Sequence, residues 1–156
     1  MRKLAKLNAM SGQERRWLLQ AWMLLPVVKV LLWQIGYRRT FANLERWLRL
    51  QSGDVNIADH EKQQQAILLG RLVNMAANHS PFVINCLPRS LVLWGMLRRA
   101  GLAADLRIGV QTAAEGFMAH AWIEYCGQAV SEDRKMMVDY SPFADLIGGP
   151  EKSRAL

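Results

Sequence analysis

The chain has 156 residues, half of them hydrophobic, with a net charge of +7. That excludes a disordered chain and leaves one domain, or one domain with a helical appendage. Two cysteines are too few for a disulfide framework, and the apolar run from Trp17 has no small-residue cleavage site behind it, so a cytoplasmic protein with free thiols is expected.

The charge is unevenly placed. Residues 1–50 hold ten Lys/Arg and two acids, a net of +8, whereas the remainder holds ten and eleven, a net of −1. The basic half is a candidate surface for an acidic partner or an anionic membrane. No base-reading motif accompanies it, so nucleic acid is not expected.

Ser11-Gly-Gln-Glu14 has the form of a capping box, with a hydroxyl at the cap and a carboxylate three residues on. The helix it opens is expected over 13–35 and should kink or divide at Pro26. Residues 17–35 are apolar except for Gln20, Lys29 and Gln34, nearly the length of a membrane span. Lys29 and Pro26 argue against a stable span and for a buried helix pair, or one lying on a membrane or partner. Trp17, Trp22 and Trp33 read as packing residues, with an interfacial aromatic belt as the sharper alternative.

Gly36 should end this helix and Thr40 should cap the next, over 41–50, with Phe41, Leu44 and Leu48 on one face. Residues 51–56 read as a linker. A third helix is expected over 58–78, with Ile67, Leu68, Leu72 and Met75 buried, His60 solvated and His79 at its C-terminus. The expected division is a basic helical segment over 1–50, a core over 58–147 and a tail over 148–156.

An extended run, residues 80–85, then turns into an apolar helix over 87–102 with Cys86 at its head. Pro88 suits the first turn, where a missing N–H removes no helical bond. A cysteine there lies beside unpaired backbone N–H groups and the positive end of the helix dipole, which favour the nucleophilic thiolate. Ala100-Gly101 is a helix stop. Strands follow over 103–111 and 118–126, then a turn at Gly127-Gln128 and a further strand over 136–140. By the period of two, Met118, His120, Trp122 and Glu124 share one strand face.

A thiol at a helix start and an imidazole on a strand are the parts of a papain-like or transglutaminase-like cysteine hydrolase. His120 is the only histidine after Cys86. The group that orients the imidazole could be Glu124, Glu132, Asp133 or Asp139. A two-residue turn at Cys126-Gly127 would put Asp133 opposite His120, whereas a three-residue turn would put Glu132 on that face, opposite Trp122. The oxyanion donors would be the Cys86 N–H and the Asn85 amide.

Cys-Leu-Pro-Arg-Ser (86–90), Gly101 with Leu-Arg-Ile-Gly-Val (106–110), and Phe-Met-Ala-His-Ala-Trp-Ile-Glu (117–124) together resemble the lasso-peptide leader peptidases, the transglutaminase-like proteins of lasso-peptide maturation. The resemblance spans roughly residues 65–145. It implies a papain-like α+β fold, with N-terminal helices, a nucleophile helix and a small antiparallel sheet. Cys86 would be the nucleophile and His120 the base. The family's acid lies about twelve residues past the histidine, commonly as Asp; Glu132 stands there, with Asp133 as the alternative. Trp122 and Glu124 would contact substrate. The implied reaction is amide hydrolysis between leader and core of a precursor peptide, with no cofactor, freeing the core's amine for a separate macrolactam cyclase. No strand pattern for a fused winged-helix-like domain precedes the helices, so a separate leader-binding protein is the expected partner.

Two other readings compete. Cys86, His120 and Cys126 could form a metal site, although no CxxC or HxxxH pair anchors one. A non-catalytic transglutaminase-like adaptor could dock its basic helices on a membrane or partner enzyme.

Overall fold

The structure is a computed structural model and describes residues 10–49, 59–113, 116–130 and 141–142. Three helices, α1 (Gly12–Arg49), α2 (Asp59–Asn78) and α3 (Cys86–Arg99), precede the strands β1 (Asp105–Ala113), β2 (Gly116–Tyr125), β3 (Gln128–Ala129) and β4 (Ser141–Pro142). The strands form one antiparallel sheet in the order β3-β2-β1-β4. This is the expected α+β arrangement. The strand expected over 136–140 lies outside the described residues.

The capping box at the head of α1 forms as expected. The Ser11 N–H donates to Glu14 Oε2 at 2.6 Å, and the Glu14 N–H donates to Ser11 Oγ at 3.2 Å. Two expectations about α1 need correction. Helical backbone angles run through Pro26, and the interruption falls at Gly36, with φ 75° and ψ 173°. Only glycine adopts that region readily, so it can reset the chain direction within one residue. Thr40, expected as a cap, lies inside the resumed helix: it is 2% exposed and donates from Oγ1 to the Gly36 carbonyl at 2.8 Å. A hydroxyl bonded to the carbonyl four residues back is satisfied locally although it is buried.

α3 is the central element. Residues Ser90 to Leu97 are all buried, and α1, α2, β1 and β2 all contact this helix. A helix apolar on every side needs partners on every side. α1 contributes Ala21, Leu25 and Val28 to the same core cluster. On α2 the buried face is Ala66, Leu69, Leu72, Val73 and Ala76, so Leu72 of the expected stripe is buried, whereas Ile67 is 38% exposed and Leu68 and Met75 are half-buried. Ala66 and Ala76 pack in the same core cluster as α3, a role that a hydrophobicity pattern hides.

α3 ends where Ala100-Gly101 predicted. Gly101 has φ 75°, its N–H donates to the Arg98 carbonyl at 3.1 Å, and the Leu102 N–H donates to the Leu97 carbonyl at 2.9 Å. These two bonds are a Schellman motif. Trp94 Nε1 then holds the start of the sheet by donating to the Ala104 carbonyl at 3.1 Å.

Trp22 and Trp33 correct a further expectation. Trp17 packs against the core, but Trp33 is 82% exposed and Trp22 43%.

Candidate functional site

Cys86 is the first residue of α3 and is half-buried. Asn85 precedes it in extended backbone and its side chain makes no capping bond. Pro88 falls in the first turn, where the backbone N–H has no helical acceptor to lose. The segment leading to Cys86 is held by Arg89. Its Nη2 donates to the Ile84 carbonyl at 3.3 Å and its Nη1 to Asn74 Oδ1 on α2 at 3.4 Å. Those bonds fix the approach of the chain to the head of the helix.

His120 lies on β2, half-buried, opposite Gly109 of β1. Its ring stacks on Trp122, with centroids 6.1 Å apart and planes 14° apart. Trp122 Nε1 donates to Glu124 Oε1 at 3.0 Å, and Arg107 Nε donates to Glu124 Oε2 at 3.1 Å. Residues 120, 122 and 124 thus form a row on one strand face, as the alternation predicted. Trp122 and Glu124 were expected to contact substrate. Trp122 is 4% exposed and stacks on the imidazole, and Glu124 accepts from both Trp122 and Arg107.

One bond relates the helix to the strand. Ser90 lies one turn after Cys86 on the same side of α3. Its hydroxyl donates to the Ala121 carbonyl at 2.8 Å, and both residues are buried. Strand geometry sends the carbonyls of Ala121 and Ile123 to the same edge of β2. At Ile123 that edge is occupied by the Val130 N–H at 3.0 Å; at Ala121 it receives Ser90. The head of α3 is therefore fastened to β2 at the residue beside His120. Sequence reasoning passed over Ser90, although a hydroxyl one turn past the thiol in an otherwise apolar helix was a visible signal.

β2 and β3 join through a two-residue turn. Tyr125 pairs with Gln128, and Cys126 and Gly127 have φ of 50° and 72°. Positive φ at both central residues is the type I′ hairpin. Of the two alternatives left by the sequence, this is the one associated with Asp133. Glu132, Asp133 and Asp139 lie outside the described residues. Cys126 is exposed in the turn, and among the described residues no three His, Cys, Asp or Glu side chains gather at metal-binding distance. His60 is exposed on α2; His79 is exposed with Nδ1 2.8 Å from the Met75 carbonyl, a bond that closes the helix.

No curated protein and no solved structure matches the chain. Residues 31–145 match the family model described as the transglutaminase-like superfamily. The match takes in α2, α3 and the sheet, with both Cys86 and His120. With well over half of its length matched, this chain belongs to the transglutaminase-like superfamily, which includes cysteine peptidases.

Proposed function

We propose that the protein is a cysteine peptidase that removes the leader from a lasso precursor peptide. The observation that carries the reading is the Ser90 bond to Ala121, which fastens the helix headed by Cys86 to the strand beside His120. In this mechanism His120 takes the thiol proton, and the Cys86 sulfur attacks the scissile carbonyl. The Cys86 N–H and the Asn85 amide stabilise the resulting oxyanion, and the lack of a capping bond leaves the Asn85 amide free of that duty. His120 then gives the proton to the departing amine, which is the new N-terminus of the core. Water, activated by the same imidazole, hydrolyses the thioester.

The third member is an acid just past the hairpin. The family position gives Glu132. The two-residue turn, with Tyr125 paired to Gln128, supports the alternative, Asp133. A separate leader-binding protein and a macrolactam cyclase complete the system, in keeping with the family resemblance.

The test is incubation of precursor and leader-binding protein with the enzyme, read by mass. Wild type should release the leader, and Cys86→Ala and His120→Ala should not, while folding as wild type does. Leader release that survives Cys86→Ala rejects the mechanism. Asp133→Asn and Glu132→Gln, compared in the same assay, identify the acid: its loss should lower turnover by orders of magnitude, as losing the orienting carboxylate does elsewhere.

A further inference from the structure

The face of α1 turned away from the core has no partner among the described residues. Leu19, Trp22, Met23, Val27, Val30 and Trp33 recur at helical spacing and are between 43% and 82% exposed. The opposite face, Ala21, Leu25 and Val28, is buried in the core. Exposed Phe82 and Val83 extend the uncovered face sideways: Lys29 Nζ donates to the Val83 carbonyl at 2.8 Å and lies 6.0 Å from the Phe82 ring. That bond draws the charge of Lys29 to the flank. The face itself is uncharged from Leu19 to Gln34 and is bounded by exposed Arg15 and Arg16 at one end and Arg38 and Arg39 at the other. By length and composition the helix could cross a membrane. Crossing would strip Leu25 and Val28 from the core, so a position in the plane of the interface fits the packing.

We infer that this face of α1 seats the protein peripherally on an anionic lipid surface. Charge complementarity selects the occupant. The first fifty residues carry a net +8, and exposed arginines flank in sequence an apolar strip that would lie in the acyl boundary. Exposed Trp22 and Trp33 suit the same depth. A second copy docked face to face would bring two such basic halves together without compensation. The face from Leu19 to Val30 also precedes the matched family region. The inference is independent of the thiol chemistry.

The experiment is flotation of the full chain with phosphatidylcholine vesicles, with and without phosphatidylglycerol. The protein should float with the anionic vesicles, stay behind with the neutral ones and be released by high salt. Val27→Asp with Val30→Asp should abolish flotation with an unchanged circular dichroism spectrum. Arg16→Gln with Arg38→Gln should weaken binding by roughly fivefold per charge removed. Cys86→Ala should float as wild type does, which separates this inference from the peptidase reading. It is overturned if folded wild type fails to float with anionic vesicles, or if the Val27→Asp, Val30→Asp variant still floats. It is equally overturned if light scattering shows a dimer that those aspartates dissolve while lipid binding is absent.

Discussion

Ser90 shows how much can rest on one hydroxyl. Replacing it by Ala leaves the Ala121 carbonyl buried without that donor, which should cost about 1–3 kcal/mol in urea denaturation. Because the bond sets the head of α3 against β2, the same variant should lower kcat while leaving KM little changed, and Ser90→Thr should recover much of the loss. An equal loss of stability with unaltered turnover would make Ser90 a purely structural residue. Tyr37 is a contrasting case. It stacks on Phe41 at 5.8 Å, yet its buried hydroxyl finds no hydrogen-bond partner among the described residues, and burial pushes its pKa from 10.0 up to about 12. A tyrosine whose folded pKa is raised contributes stability below pH 10 that is lost as pH rises towards 12. Tyr37→Phe should therefore be neutral or slightly stabilising at pH 7, and should lose less stability than wild type between pH 10 and 12 in denaturant titrations.

At the scale of the element, the interruption of α1 is a property of Gly36. Nothing lies within 4 Å of where its Cβ would be, so a clash with neighbours is not the issue. The backbone conformation itself resists a side chain. Gly36→Ala should cost about 1–3 kcal/mol, read from the urea midpoint. The chain announced the glycine but not its precedence over Pro26, because a proline inside a helix can be absorbed when its neighbours tolerate one missing bond. Boundaries set by local chemistry were legible: the Ser11–Glu14 box, Cys86 at the head of α3, Gly101 at its end and the alternation along β2. Those set by packing were not. The place of Ala66 and Ala76 in the buried face of α2 depends on packing with α3. The two-residue length of the turn after Tyr125 is set by the pairing of Tyr125 with Gln128, and the residues Cys126-Gly127-Gln128 alone left it open.

For the molecule as a whole, one core cluster draws on both the expected basic segment, 1–50, and the expected core, 58–147. Leu25 is fully buried in the same cluster as Leu69 of α2 and Leu93 of α3. Leu25→Ala should therefore lower global stability by about 2–5 kcal/mol, with one cooperative transition by both tryptophan fluorescence and far-ultraviolet dichroism. Loss confined to the N-terminal helix, with the sheet melting as before, would favour the two-part description. The basic and apolar character of α1 thus sits on a helix that the core cannot release.

The tight corner between β2 and β3 has a practical consequence for anyone handling this protein. Its first residue is an exposed thiol held at a positive φ, so alkylating reagents and stray oxidants can modify Cys126 as well as the half-buried Cys86. Asparagine is at home in that left-handed position and makes the Asn-Gly pair that such corners favour. Cys126→Asn should leave a single titratable sulfur in the chain and tighten the hairpin in the same stroke, so that any reagent incorporated afterwards reports on the sulfur at the head of α3 alone.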